Sequence, residues 1–156
     1  MKYAEWHDTV FVEIKNDPIW NLEVYRLALF AGDIGWNDVL VMSKQPLIYS
    51  IADQLHRSLD SISANLTEGY SRSKGLDRAR FIEYALGSAR ESRDWYYKSK
   101  QVLTPEVLKH RMGLITQIIG MLTLMIPHQR KNAIREEQAE YTTQPAFSLD
   151  SEIPMP

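Results

Sequence analysis

The residues best suited to metal binding or proton transfer are four histidines, and they lie far apart in the sequence: His7, His56, His110 and His128. A metal site inside a helix bundle needs histidines and carboxylates at helical spacing on facing helices. The spacing of these four predicts no such site, and we expect surface or capping roles. The chain has no cysteine, which excludes a thiol nucleophile, a disulfide and a cysteine-ligated metal. We therefore predict no cofactor and no metal.

Two segments have a superficial likeness to catalytic or phosphate-binding motifs. The segment 86–90, Leu-Gly-Ser-Ala-Arg, lacks the second glycine of a nucleophile elbow and follows no predicted strand. The segment 69–75 has glycine at both ends and basic residues between them, but it lacks the GxxxxGK[ST] pattern of a phosphate loop. Neither segment supports catalysis, so the sequence predicts a protein that is not an enzyme.

A polar run on the second predicted helix includes Asn65, Thr67 and Glu68. Glu68 lies four residues before Arg72, the spacing of a helical ion pair. Two interpretations stay open: Asn65 and Glu68 bind polar groups across a helical hairpin and fix its register, or they line a ligand site together with His56. We favour the first, because a second carboxylate and helical histidine are missing.

Basic residues concentrate in the middle of the chain, where residues 72–111 hold ten Lys or Arg against five Asp or Glu. Tyrosines and tryptophans are interleaved with them, and such a pattern suits phosphate contact combined with base stacking. The alternative is a solvated helical face with ion pairs such as Arg90 with Asp94. The predicted surface for nucleic acid or a partner comprises Arg72, Lys74, Arg78, Arg80, Arg90, Arg93, Lys98 and Lys100.

The whole chain carries a net charge of only −2, because both ends are acidic. Residues 1–40 have seven acids against three bases, and residues 132–156 have five acids against one base. The N-terminus lacks a basic segment followed by an apolar one, as a secretory signal requires. The most apolar stretch, 112–126, is shorter than the roughly 20 residues that span a bilayer. We expect a cytoplasmic protein.

Prolines and glycines divide the chain into four long helical blocks and no strand. Thr104 followed by Pro105 predicts an N-cap and first residue for the fourth helix. The fold class predicted is all-α, an up-down-up-down antiparallel four-helix bundle. Apolar residues at three-to-four spacing predict an amphipathic first long helix, weakened by two glycines, with one face made of Leu22, Tyr25, Leu29, Gly32 or Ile34, Trp36 and Leu40.

The fourth helix has apolar residues in two registers, more than the core of one bundle is expected to cover. A second copy of the chain is the simplest partner that could bury the remaining apolar surface of this helix, since burying apolar area is favourable by about 25 cal/mol per Å². The residues expected at this oligomer interface are Leu114, Ile118, Met121 and Met125.

Three regions follow from these patterns. Residues 1–18 form an N-terminal extension, in which Trp6, Val10 and Ile14 have the spacing of a short packed helix. Residues 19–131 form the bundle. Residues 132–156 are polar, acidic and rich in proline, and we expect a flexible tail.

The segments 61–72 and 80–91 resemble the bacterial four-helix bundle protein family, first noticed as reading frames within intervening sequences of 23S ribosomal RNA genes. The likeness spans about residues 21–130, with departures at Ser63, Ala64 and Thr67. The resemblance implies an up-down-up-down bundle, a homopentamer and no enzymatic activity. Motif residues to which it assigns a structural role are Asn65, Glu68, Gly69, Tyr70, Gly87 and Ser88.

A distant relative in fold, the accessory variability protein of diversity-generating retroelements, is a basic pentamer that binds nucleic acid and a reverse transcriptase. This chain is more acidic. Our first hypothesis is a non-enzymatic oligomeric scaffold that contacts nucleic acid, or an enzyme acting on it, through the basic hairpin of the second and third helices. The alternative is a protein interaction module that binds no nucleic acid. Neither hypothesis involves a membrane.

Overall fold

The computed structural model describes residues 2–72, 76–129 and 154–156, of which 84% are helical and none lies in a strand. The all-α class is therefore confirmed. Short 3₁₀ turns at Pro18–Asn21 and Pro46–Ile48 precede two of the helices. The α-helices are α1 Tyr3–Thr9, α2 Val12–Lys15, α3 Glu23–Met42, α4 Tyr49–Tyr70, α5 Leu76–Lys98 and α6 Pro105–Gln129. Lys74 and all but the last three residues of the predicted tail fall outside the described residues.

The ends of the helices follow local chemistry that the sequence makes visible. Thr104 precedes α6, and its Oγ1 accepts a hydrogen bond from the backbone N–H of Val107 at 3.4 Å, as an N-cap does. Pro105 occupies the first helical position, where its missing N–H costs nothing. Pro127 does not end the helix, which continues to Gln129.

The four long helices share one core. α4 packs against α3 on one side and α5 on the other, and α6 also contacts both α3 and α5. Leu55, Leu59 and Ile62 of α4 are at most 1% exposed, as are Leu114 and Ile118 of α6. The core therefore lies between all four long helices.

The core face of α3 differs from the one predicted. Trp36 and Leu40 are 51% and 45% exposed, whereas Ile34 and Asp38 are fully buried. The predicted face is confirmed at Tyr25 and Ile34, which are buried, and at Leu22 and Leu29, which pack partly buried against the core. It is wrong at Trp36 and Leu40, because nearby core-facing positions are small or polar, namely Gly35 and Asp38. Apolar spacing alone therefore misplaced the core face near the end of this helix.

The two apolar registers of α6 are both covered within a single chain. Leu114 and Ile118 have no exposed surface, and Met121 and Met125 are half-buried against the core. This contradicts the expectation that Leu114 and Ile118 remain for a second copy. The large apolar side chains that remain exposed are spread over several elements, among them Trp36 and Leu40 on α3 and Leu124 on α6.

The N-terminal extension packs onto the first half of α3. Trp6 of α1 is 2% exposed, and its indole N–H donates to the Asp33 carboxylate at 2.6 Å. Its ring lies 5.1 Å from that of Phe30 and 6.4 Å from that of Trp20. Aromatic pairs at these distances add about 0.5 to 1.5 kcal/mol each beyond area burial.

Two glycines inside helices have opposite surroundings. A Cβ at Gly69, near the end of α4, would lie 2.8 Å from the Phe81 Cβ of α5. Such a contact forces the two helices apart, since neither atom belongs to a flexible side-chain end. A Cβ at Gly87, in the middle of α5, would meet nothing within 4 Å.

These surroundings predict opposite effects of the same substitution. Gly69→Ala is expected to destabilise the fold by about 1 to 3 kcal/mol, the usual cost of overpacking. Gly87→Ala, its matched control, should stabilise the isolated chain by up to about 1 kcal/mol through helix propensity. Urea unfolding followed by circular dichroism measures both; equal shifts of the two midpoints would contradict the close approach of α4 and α5.

Candidate interaction surfaces

The start of the predicted basic hairpin is used for structure. The Arg78 Nε donates to the Gly69 carbonyl at 3.2 Å and its Nη2 donates to the Tyr70 carbonyl at 2.9 Å, while the guanidinium lies 5.1 Å from the centre of the Tyr70 ring. A cation on the last carbonyls of a helix caps it and balances its dipole. Arg72 pairs with Glu68 and stacks on Phe81, as the four-residue spacing predicts.

Cations near the end of α5 also have partners within the chain. Lys98 pairs with Asp94 and lies 4.1 Å above the Trp95 ring. Lys100 lies 4.4 Å above the Tyr97 ring. The expected pair of Arg90 with Asp94 is replaced by the Lys98 pair, because both cations lie one turn from the same carboxylate.

Three arginines of the predicted surface are left without a side-chain hydrogen bond or ion pair among the described residues. Arg80 and Arg90 are exposed on the outer face of α5, and Arg93 is half-buried. Acidic Glu91 and Asp94 occupy the same outer face, so cations and anions alternate along it. The local excess of positive charge in the sequence does not become one continuous basic surface.

Two motif residues of α4, Asn65 and Glu68, bind partners in their own helix or at its end. Asn65 donates to the Ser61 carbonyl at 2.8 Å, and Glu68 binds Arg72. The favoured expectation that both side chains bind groups across the hairpin is therefore not met. Polar links across the hairpin are instead made by Arg78 and by Ser92, whose hydroxyl donates to that of Ser58 at 2.9 Å in a buried position.

The end of the helices near the motif has a small groove, lined by Leu22, Leu66, Gly69, Tyr70, Arg78, Ile82, Met125 and Gln129. Its volume is about 70 Å³, well below the roughly 300 Å³ at which ligand pockets begin. Ser88, the last motif residue, bonds the Tyr84 carbonyl of its own helix at 3.1 Å. The motif thus shapes the ends and contacts of the helices.

A buried ion pair in the core was missed by the sequence analysis. The Asp38 Oδ2 accepts from the Arg111 Nε at 2.7 Å and from the Tyr96 hydroxyl at 2.8 Å, and its Oδ1 accepts from the Arg111 Nη2 at 3.1 Å. All three side chains are at most 1% exposed. Asp38 stands four residues after Ile34 and four before Met42, so it shares a helix face with two apolar residues. This spacing was the one sign in the sequence that Asp38 is buried.

Two further groups complete the surroundings of Arg111. The His110 Nδ1 lies 2.9 Å from the Arg111 Nη1, and the Pro154 carbonyl accepts from the Nη2 at 3.2 Å. Burial, and then the adjacent positive charge of Arg111, lower the pKa of His110 to about 4. Burial and the charge of Asp38 raise the pKa of Tyr96 well above its usual range. The Asp38 carboxylate and the Arg111 guanidinium each bind more than one partner within the chain, which gives this network a structural role.

One histidine has an acidic neighbour that the sequence analysis did not use. The His56 Nδ1 lies 3.4 Å from the Asp60 Oδ2, one turn further along α4. The described residues contain no group of three His, Asp or Glu side chains that could hold a metal ion. Within the same part of the chain, no helix has the length and hydropathy needed to cross a membrane.

Two large apolar side chains four residues apart on α3, Trp36 and Leu40, are 51% and 45% exposed, and we call them the α3 surface. The two side chains are adjacent, because residues four apart stack on one helix face. The Trp36 ring lies edge-on to His56 at 5.2 Å. Acidic Asp33 and Asp60 lie within one turn of it, on α3 and on the facing part of α4.

Removing one partner of the buried ion pair is expected to be costly. Asp38→Ala leaves the Arg111 guanidinium buried without its carboxylate, and such changes cost about 3 to 5 kcal/mol. Tyr96→Phe removes one hydrogen bond while Arg111 stays paired, which predicts a loss of about 1 to 2 kcal/mol. Chemical unfolding of both variants tests this; an Asp38→Ala loss no larger than that of Tyr96→Phe would contradict the network.

The lowered pKa of His110 predicts that acid destabilises the fold. In the unfolded chain this histidine is protonated below about pH 6.5. In the folded chain it stays neutral until the pH falls to about 4. Stability therefore falls as the pH falls through this window, by about 2 kcal/mol between pH 7 and pH 5. His110→Gln should flatten the dependence measured by urea unfolding, and His128→Gln, an exposed control, should not.

Comparison with known proteins agrees with the resemblance in the motif segments. The family model of the 23S rRNA-intervening sequence protein matches residues 37–124, more than half of the 156 residues. The match includes α4, α5 and most of α6, and it begins one residue after Trp36. No curated protein and no solved structure matches the chain. The chain therefore belongs to the 23S rRNA-intervening sequence protein family.

Proposed function

We propose that this protein is a non-catalytic scaffold that self-associates and acts through contacts with proteins. The observation that carries the proposal is the α3 surface, where Trp36 and Leu40 are about half exposed on a fully folded helix. Exposed aromatic and aliphatic side chains that lie side by side can form the apolar centre of a protein interaction site. Its architecture in this proposal is an antiparallel up-down-up-down four-helix bundle, assembled as a homopentamer as the family resemblance implies.

Contacts between successive helices support the antiparallel arrangement. A Cβ on Gly32 would lie 3.3 Å from Asp60, and Trp36 touches His56, so residue numbers rise on α3 as they fall on α4. The same inverse order holds between α4 and α5, where Ser58 meets Ser92 and Gly69 meets Phe81. Short connections between antiparallel neighbours are the rule in helix bundles.

The absence of catalysis in the proposal is supported by how the ionisable groups are used. A catalytic side chain needs a donor, acceptor or nucleophilic atom that is free to contact a substrate. Asp38, Tyr96 and Arg111 instead satisfy one another in the core, and Arg72, Arg78 and Lys98 are held by carbonyls, carboxylates and rings of the chain itself.

Nucleic-acid binding is the second candidate, and one observation favours it. Arg80 and Arg90 are exposed without side-chain partners among the described residues, and Tyr84 between them is 51% exposed. Two cations with an aromatic ring on one helix face offer phosphate contact and base stacking. We rank it second because acidic residues alternate with these cations along α5.

One experiment with two arms separates the candidates. Light scattering on the chain at micromolar concentration should give a mass several times 18.1 kDa, and a monomer would contradict self-association. Labelled single-stranded RNA is then titrated at 50 and 200 mM salt. The scaffold proposal expects no binding at either; salt-sensitive binding lost in Arg80→Glu with Arg90→Glu, and kept in Lys15→Glu with Lys44→Glu, would establish the second candidate instead.

A further inference from the structure

Residues 154–156 contact the bundle far from the end of the helix that precedes them in the chain. The Pro154 carbonyl accepts from the Arg111 Nη2 at 3.2 Å. Arg111 lies in the first third of α6, and Gln129, where α6 ends, comes 18 residues later, about 27 Å further along the helix. The contact is therefore a long-range one, made back along the bundle.

The Arg111 guanidinium holds this carbonyl with a hydrogen that the buried ion pair does not use. Its Nε donates to the Asp38 Oδ2 and one Nη2 hydrogen serves the Asp38 Oδ1, which leaves the second Nη2 hydrogen for Pro154. Arg111 is only 1% exposed, and a buried guanidinium needs acceptors for its donors. This position on the bundle therefore favours a carbonyl or carboxylate oxygen.

The segment itself is held lightly. Among the described residues, the bond from Arg111 is the one hydrogen bond that residues 154–156 make, and Met155 is 46% exposed. The bidentate contact of Arg111 with Asp38 does not involve the segment, so the ion pair between α3 and α6 persists when the segment leaves. The contact is therefore one that a different polypeptide can replace.

The two prolines prepare the segment for this contact. Each proline fixes its own φ at about −65°, and Pro156 disfavours helical backbone at Met155. Residues 154–156 accordingly form neither helix nor turn in the structure. A backbone that is already stiff and extended loses little entropy on binding, so one charge-assisted hydrogen bond goes further here than it would for a flexible chain.

We propose that the surroundings of Arg111 are a binding site for an extended, proline-flanked protein segment, recognised through its main-chain carbonyl, and that residues 154–156 occupy this site within the chain. A protein partner that presents such a segment binds by displacing residues 154–156. Because the occupant belongs to the same chain, its local concentration is high and an outside segment must compete with it. The inference goes beyond the proposed scaffold function, since it holds for a monomer and for an oligomer.

Competition is measured with the full chain and a labelled, amidated peptide Ser-Glu-Ile-Pro-Met-Pro, the sequence of residues 151–156. Amidation removes a terminal carboxylate that could itself bind Arg111. Wild type is compared with a variant that has glycine at positions 154, 155 and 156, which keeps the chain length but loses the stiff occupant. Fluorescence anisotropy should give an apparent Kd about tenfold lower for the variant, because its own segment competes less well.

Two controls make the titration decisive. A peptide with glycine at both proline positions should bind the variant several-fold more weakly, and the urea midpoint of the variant should equal that of wild type. Equal Kd values for the two chains, or no binding to the variant, would overturn the proposal. A lowered urea midpoint would also overturn it, since the segment would then be part of the fold.

Spin labels locate the occupant in the full chain, which has no cysteine of its own. Pro156→Cys is paired with Lys109→Cys, two residues before Arg111, or with Leu124→Cys, 13 residues after it; all three positions are exposed. Labelled chain is diluted into unlabelled chain, so that only distances within one chain contribute. Dipolar spectroscopy should give a shorter distance for the first pair, which excess unlabelled peptide lengthens and broadens. Equal distances for the two pairs, or a short distance that the peptide leaves unchanged, would overturn the proposal.

Discussion

The buried ion pair between Asp38 and Arg111 is the constraint that the packing of three helices must satisfy. It joins α3 to α6, and the Tyr96 hydroxyl brings α5 to the same carboxylate oxygen. Charges removed from water must find every partner they need, so sliding or rotating any of these helices would leave one of them unpaired. The apolar contacts supply most of the stabilisation, and the ion pair specifies which arrangement of them is allowed.

The sequence predicted the long helices well, because the signals that start and stop a helix are local. Thr104 and Pro105 placed the beginning of α6, and Glu68 with Arg72 was a pair of neighbours on one helix. The core face near the end of α3 was mispredicted for the opposite reason. Its burial is decided by a partner, Arg111, that lies 73 residues away, and apolar periodicity reads Asp38 as a surface residue.

The candidate site was less predictable, since counting charges does not show where each charge is used. Arg78 was counted with Arg80 among cations available to a partner, yet the fold assigns Arg78 to the carbonyls at the end of α4. Gly87 was predictable as a motif residue but not as an exposed hollow. The two glycines differ in their surroundings in the fold: Gly69 permits α4 and α5 to touch, whereas Gly87 has no neighbour within 4 Å.

The exposure of Trp36 has a consequence for observing the molecule. Trp6 and Trp20 are at most 9% exposed and sit in an apolar cluster, while the Trp36 ring is half in water. The indole emission maximum moves to shorter wavelength when water leaves the ring. A partner that binds over Trp36 therefore reduces the tryptophan emission of the chain at long wavelength. Binding at this surface can be followed by intrinsic fluorescence without a label.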